Sequence, residues 1–330
     1  MNGSGCVRKA YPGRFAHNLI ENGRSDTDSG LLYPAWYRFL SMAMQYGIAI
    51  RNVCVRTEPT LEPLRKYQGD VWDRRQESRL AIGEPVQVTR LDGGWLYVIS
   101  EATEGYVREE GIFVCTRRHY ERYRETLVRE FQVVIKSGKY KDGQYFRVGT
   151  VLPVFDKEPE NACRGDAPVF VGQYLPFTDR QMRLQMERML DIPYSWGDER
   201  LDGMDCSSTV RGFFACFGVT LPRNSEAQRL RGEHMAAEGR ARYEKLMGLP
   251  AAEKTEMIRR LGIGTLLHMP GHVMLYAGER DGIPLIFHNI DTYREAGEEH
   301  IVRSCIISPF LPKGEGTYLD YLTAAWKPVK

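Results

Sequence analysis

Long apolar runs are missing from this 330-residue chain, and with them any stretch able to cross a bilayer as a helix. No charged segment followed by an apolar one opens the sequence, so no export signal is read there. An excess of one charge is missing too: 45 lysines and arginines stand against 43 acids, a formal net charge of +2. No basic run interleaved with aromatics is present, which argues against a nucleic-acid partner. Cysteines are sparse. Cys6, Cys54, Cys115, Cys163, Cys206, Cys216 and Cys305 are odd in number, far apart and without a C-x-x-C pair. A disulfide framework or a zinc site is therefore not expected, and the chain is read as having no metal and no cofactor.

What is present divides along the chain. Residues 1–50 are polar and Gly-rich and then apolar, with Ala35–Met44 reading as one short helix that packs on the rest. Residues 51–115 carry short β patterns: 52–56, 86–91, 95–99 and 105–107, with Asp92-Gly93-Gly94 as a hairpin turn and 70–79 as an exposed loop or short helix. Short strands joined by tight turns predict a small barrel or sandwich. Residues 116–130 are charged and helical in composition, a connector. Residues 131–175 are β-like again, with a turn at Lys139–Gly143. Residues 176–330 begin with the capping pattern Thr178-Asp-Arg-Gln181 and a helix to Leu190. A helix from Cys206, another near Asn224–Arg231, a polar helical stretch over 233–261 and then five strands follow. Helices first and an antiparallel sheet after them is an α+β order.

Asp205-Cys206-Ser207-Ser208 stands out. Val210, Phe213, Phe214 and Phe217 lie four, seven, eight and eleven residues beyond Cys206, the stripe of a buried helix. A cysteine in the first turn faces unpaired N–H groups and the positive end of the helix dipole, which favour the thiolate nucleophile. A small hydrophobe in the core is the competing reading. A nucleophile needs a base, and the base an orienter. His272 opens one strand and His288 closes the next, so a hairpin can bring the two rings together. An imidazole beside the thiol would form an ion pair with it. Asn289 is the alternative orienter, and His268 and His300 are rival bases on the same sheet.

The ordered set Pro193-Tyr194-Ser-Trp196-Gly197, Asp205-Cys206-Ser207, Leu221-Pro222-Arg223-Asn224-Ser225 with Gln228, Gly271-His272-Val273 and a later histidine resembles the NlpC family of papain-like cell-wall peptidases. Three positions depart from the family pattern: Asp198 after Gly197, Ser208 where glycine is usual, and Asn224 between Arg223 and Ser225. The stretch before His272 is also about thirty residues longer than in minimal relatives. The Val55–Pro59, Gln76–Ser78, Gly83–Val86, Asp92–Trp95 and Gly105–Val107 segments resemble a bacterial SH3-like domain, followed by a more divergent one.

The resemblance implies a multi-domain protein, two small all-β SH3-like barrels before an α+β papain-like catalytic domain, similar to members of the dipeptidyl-peptidase VI type. It implies a cysteine endopeptidase that cuts the γ-D-glutamyl–L-diamino acid bond of murein stem peptides bearing a free N-terminal L-Ala. Cys206 would be the nucleophile, His272 the base and His288 the third polar residue, with Tyr194 beside the nucleophile and oxyanion site. Asp205, Tyr106 and an acid (Glu77, Asp73 or Glu58) would bind the substrate amine, with Trp196 lining the site. Ser207 and Ser225 are suited to the D-glutamate carboxylate, and equally to capping and turn-making. The partner would be the murein peptide, with no nucleic acid and no transmembrane segment, and the protein a monomer. The cell envelope, or the cytoplasm if peptides are recycled there, follows from the substrate alone. An acyltransferase or other amidase on this fold, or a non-catalytic wall-binding protein, is the alternative.

Overall fold

The computed structural model describes residues 45–140, 143–154 and 167–329. The helix expected over 35–44, and Cys6 and Cys163, lie outside them.

Seven strands form the first sheet: β1 (Gln45–Ala49), β2 (Val53–Arg56), β3 (Gln76–Leu80), β4 (Pro85–Asp92), β5 (Trp95–Ile99), β6 (Glu104–Arg108) and β7 (Ile112–Cys115). Their order is β3-β2-β6-β5-β4-β1-β7, around a core of Ala49, Val55, Leu80, Val86, Val98 and Val107. The sheet takes in Gln45–Ala49, which the sequence grouped with the N-terminal segment, because β1 pairs with both β4 and β7. Gly93 and Gly94, at φ 50° and 81°, make the β4–β5 turn where Asp92 pairs with Trp95. That is the left-handed pair a two-residue hairpin needs. The charged connector is helix α1 (Arg117–Arg129), capped by Thr116. One face of it is buried at His119, Tyr120 and Tyr123, and Tyr123 donates to the Gly83 carbonyl at 2.7 Å.

The second β unit holds β8 (Phe131–Lys136), β9 (Gly138–Lys139), β10 (Tyr145–Phe146), β11 (Val151–Pro153) and β12 (Val169–Val171). β11, β8 and β12 form one small sheet and β9 and β10 a separate hairpin. Among the described residues neither unit closes into the expected barrel. Along β8, Val134 faces a core shared with Ile48 and Ile82 of the first unit and Tyr123 of α1. Its neighbours Val133 and Ile135 face the core of the C-terminal part. Alternating side chains thus bury one face of β8 with Phe146, Leu152 and residues of the first unit, and the other against the C-terminal part.

The C-terminal part contains α2 (Asp179–Arg188), α3 (Cys206–Ala215), α4 (Ser225–Ala237), β13 (Ala241–Lys245), α5 (Ala251–Leu261), β14 (Leu266–Met269), β15 (His272–Arg280), β16 (Ile283–Glu295), β17 (Glu298–Pro309), β18 (Pro312–Lys313), β19 (Gly316–Thr317) and β20 (Ala324–Pro328). The α+β order holds. Six strands, β13-β20-β14-β15-β16-β17, make one antiparallel sheet. One strand interrupts the stretch read as helical: β13 sits between α4 and α5, and its pairing with β20 overrides the polar composition that suggested helix.

Each face of this sheet has its own core. Val273, Leu275, Ala277 and Phe287 point to one side, onto Phe213, Phe214 and Phe217 of the α3 segment. Each such side chain contributes about 1.5–3 kcal/mol of burial. Met274, Tyr276 and Ile286 point to the other side, onto Ile258 and Leu261 of α5 and onto Tyr318. A cavity of about 290 Å³ lies where both β units, α1 and the back of α3 meet. Arg147, Ser208, Arg211 and Gly212 line it, and Cys206, His272 and His288 do not.

Candidate active site

Cys206 is the first residue of α3. Asp205 caps the helix, its Oδ1 accepting the Ser208 N–H at 2.9 Å. The N–H of a first helical residue has no acceptor within the helix. The backbone N–H of Val273, the residue after His272, acts on the Cys206 thiol to lower its pKa. The start of α3 and the start of β15 therefore meet at one point.

His272 Nε2 lies 3.1 Å from His288 Nδ1, and His288 Nε2 lies 3.2 Å from Ser308 Oγ. Ser308 donates its hydroxyl to the Pro309 carbonyl at 2.8 Å. This assigns the tautomers along the chain. Ser308 Oγ accepts from His288 Nε2–H, so His288 Nδ1 accepts from His272 Nε2–H. The lone pair of His272 is left on Nδ1.

The sequence of residues 191–296 matches the family described as NlpC/P60 family. Residues 191–296 form an NlpC/P60 domain. The family is typically one of cysteine peptidases acting on peptidoglycan, and by this domain the chain is an enzyme of the cysteine-peptidase kind. No curated protein matches the sequence. Among solved structures, an NlpC/P60 endopeptidase from Photobacterium damselae subsp. piscicida is 17% identical, with a TM-score of 0.62 over 90% of this chain and 71% of that one. An NlpC/P60 family protein from Bacillus cereus ATCC 10987 is 16% identical, with a TM-score of 0.57 over 85% of this chain and 98% of that one. At these identities the likeness is one of fold.

Electrostatics in the NlpC/P60 domain correct one expectation. Burial pushes the Cys206 thiol up to about 12, and the Asp205 carboxylate adds to it. The Val273 N–H, Arg223 and the Ser207 N–H act the other way without balancing it. Burial pulls His272 down to about 4, with Lys313 adding to it, and holds His288 well below the usual histidine range. Each group is thus held toward its neutral form, the thiol by burial and Asp205 and the imidazole by burial and Lys313. A helix start stabilises charge by up to roughly 2 kcal/mol, too little here against desolvation.

Around Cys206 lies a buried ion network that the motifs did not reveal. Arg223 donates to both oxygens of Asp205, to Ser207 Oγ at 2.8 Å and to Ser78 Oγ of the first β unit at 2.9 Å. Asp205 also accepts from Ser207 Oγ at 3.0 Å and from the Gly197 N–H at 3.3 Å. A carboxylate offers about four lone-pair sites, so its acceptor capacity is used within the protein and none is left for a substrate amine. Asp198 Oδ1 accepts from Ser208 Oγ at 2.6 Å and from the Asp205 N–H at 3.1 Å. Its Oδ2 lies 3.1 Å from Arg147 of the second β unit. The one sequence signal for this was the departure Gly197-Asp198 itself. Gly197, at φ 57°, is pressed against the Gln76 carbonyl of β3, where a Cβ would collide. Gln76 and Arg79 of β3 donate to the Gly197 and Asp198 carbonyls at 3.0 and 2.9 Å.

The remaining candidates separate. Tyr194 is half-buried beside Cys206, and burial, then the neighbouring Cys206 and Asp205, raise its hydroxyl well above the usual tyrosine value. Trp72 of the first β unit meets its ring at 5.7 Å and donates to Asp291 at 2.8 Å. Trp196 is exposed, with the Arg74 guanidinium over its ring at 4.3 Å. Ser207 is taken up by Asp205 and Arg223. Ser225 opens α4 after its cap Asn224. Tyr106 packs edge-on against Tyr97 at 5.1 Å on the first unit, where Glu77 is exposed on β3. Asn289 turns its amide to the Met204 carbonyl at 2.9 Å and the Ile192 carbonyl at 3.2 Å. His268 is buried and accepts from Trp326 at 2.9 Å, and His300 stacks on Tyr293 at 4.8 Å. The motifs missed Ser308 and Tyr318. Tyr318 is buried, with its ring 5.8 Å from His272 and 6.0 Å from His288. Among the described residues no group of three metal-ligating side chains is present, and no helix is long and apolar enough to cross a membrane.

Proposed function

We propose that the protein hydrolyses the γ-D-glutamyl–L-diamino acid bond of murein stem peptides with a free N-terminal L-Ala, through a Cys206 acyl-enzyme. The observation that carries this reading is the His272–His288–Ser308 chain beside a cysteine at a helix start. Because thiol and imidazole are each held toward the neutral form, His272 Nδ1 takes the thiol proton as Sγ attacks the carbonyl carbon. The imidazolium so formed keeps its Nε2–H on His288, which stabilises the charge. The Cys206 N–H, with the Tyr194 hydroxyl nearby, receives the oxyanion. His272 then returns the proton to the leaving amine, and water, deprotonated by the same imidazole, releases the L-Ala-D-Glu acyl group.

The amine end of the substrate is assigned to the first β unit, at Tyr106 and an acid. Asp73 is buried, paired with Arg56 at 2.8 Å and bonded to the Leu64 and Arg75 N–H groups, and Glu58 pairs with Arg75 at 3.0 Å. Glu77 is the acid this reading assigns. Incubation with L-Ala-γ-D-Glu-meso-diaminopimelate followed by mass spectrometry tests it. L-Ala-D-Glu is expected, at a rate abolished in Cys206→Ala. Intact tripeptide after incubation with the wild type would count against the substrate, and undiminished cleavage by the variant against the nucleophile.

A further inference from the structure

His272 and His288 share strand parity with Met274, Tyr276 and Ile286, so both rings lie on the sheet face that α3 does not cover. That face is covered by α5, in the long stretch before His272, and by the C-terminal loop that carries Tyr318. The two are joined by a buried lysine. Lys254, 2% exposed in the first turn of α5, donates Nζ to the Leu319 carbonyl at 3.2 Å and the Asp320 carbonyl at 2.6 Å. Those are the two residues after Tyr318. The loop is closed on itself by Asp320, which accepts from the Thr317 N–H at 2.7 Å, and by the Tyr318 N–H on the Leu311 carbonyl at 2.8 Å.

We propose that Lys254 is a positioning residue for the histidine pair, acting through Tyr318. An ammonium group holding two successive carbonyls fixes the backbone that aims the Tyr318 ring. That ring in turn packs edge-on against both imidazoles and covers the His272–His288 hydrogen bond. A buried lysine costs desolvation free energy that an apolar residue would not. Its placement here is explained by two carbonyls beside the site that need a donor. The inference rests on reading Cys206 and His272 as the reacting pair, but it does not depend on the substrate. The charged and titratable groups around His272 are His288 on β16, Tyr318 on its loop, Lys313 on β18 and His268 on β14, with Cys206 acting on Tyr318.

The test uses the full chain and two substrate-free readouts: the NMR titration of the His272 ring nitrogens and the rate of Cys206 alkylation by iodoacetamide. Lys254→Met, which keeps the stem and removes the donor, is expected to move the His272 titration up toward the ordinary histidine range. It should also slow alkylation at neutral pH about tenfold, because a ring that has lost its aim at the thiol gives up more general-base assistance than its higher basicity returns. Lys254→Arg should restore both. Tyr318→Ala, with Lys254 in place, should reproduce the shift, and the double variant should add nothing further. If Lys254→Met does not fold, Lys254→Gln, which keeps a shorter donor, takes its place with the same expected shifts. A lowered melting temperature with the His272 titration unmoved in Lys254→Met or Tyr318→Ala would overturn the proposal, as would additive effects of the pair. Normal titration and alkylation in the wild type with no peptide cleavage would instead sink the substrate reading and leave this inference standing.

Discussion

Arg147 of the second β unit lies 3.1 Å from Asp198 of the NlpC/P60 domain, both side chains buried. Asp198 in turn holds the Asp205 N–H and the Ser208 hydroxyl, on either side of Cys206. A β unit with no candidate reacting group of its own is therefore tied to the helix start that presents the thiol. Arg147→Met leaves the carboxylate of Asp198 buried with Arg223 as its remaining charged partner, at 3.6 Å. Breaking a buried pair from one side costs about 3–5 kcal/mol. Urea unfolding should show that loss, and Arg147→Met with Asp198→Asn should recover part of it.

Acid sensitivity should follow from the same carboxylate. Burial raises the Asp198 acid, but Arg147 and Arg223, with the Ser208 hydroxyl and the Asp205 N–H, outweigh it and bring it to about 2. A carboxylate depressed on folding stabilises the protein fully above its unfolded value near 3.9, and that stability is lost as pH falls toward the folded value. Between about pH 4 and pH 2 the wild type should lose roughly 2 kcal/mol by this route. Asp198→Asn, weaker at neutral pH, should lack that increment in acid unfolding monitored by circular dichroism.

His272 and His288 act at higher pH. Each is depressed by burial, His272 to about 4. The unfolded chain binds their protons first, near 6.5, so stability rises with pH through the window from about 4 to 6.5 and is complete above it. Thiolate ultraviolet absorbance should be absent at neutral pH and appear only in strong alkali, where the Cys206 thiol titrates. A thiolate signal already present at pH 6 and lost in Cys206→Ala would contradict the neutral pair.

Two adjacent residues on β16 should behave differently. His288→Ala removes the acceptor of His272 Nε2–H and should lower kcat roughly a hundredfold or more, with KM little changed. Asn289→Ala should cost about 1–3 kcal/mol of stability, because its amide satisfies the buried Met204 and Ile192 carbonyls. Paired kinetic and melting measurements on the two variants separate the roles.

Much of the NlpC/P60 domain was legible in the sequence, because its signals are local. The Phe213–Phe214–Phe217 stripe and the helix start at Cys206 each act within a few residues. The partnership of His272 with His288 followed from a hairpin, again a short-range relation. What escaped was long-range. Arg147 meets Asp198 from 51 positions away in another unit, and Lys254 meets Asp320 across 66. Such pairs have no periodicity to read. The packing of β8 is long-range too: it alternates like a barrel strand, and its two faces meet two different sets of neighbours. Asp205 looked like an available acid because the sequence does not show Arg223 folded onto it.

The proposed reaction passes through a thioester on Cys206. Rapid acid quenching of the wild type during turnover of L-Ala-γ-D-Glu-meso-diaminopimelate, with peptide mapping by mass spectrometry, tests it. The predicted result is an L-Ala-γ-D-Glu acyl group on the peptide containing Cys206, absent in Cys206→Ala and slow to form in His272→Ala. Turnover with the acyl group on another residue, or continued turnover in Cys206→Ala, would contradict it.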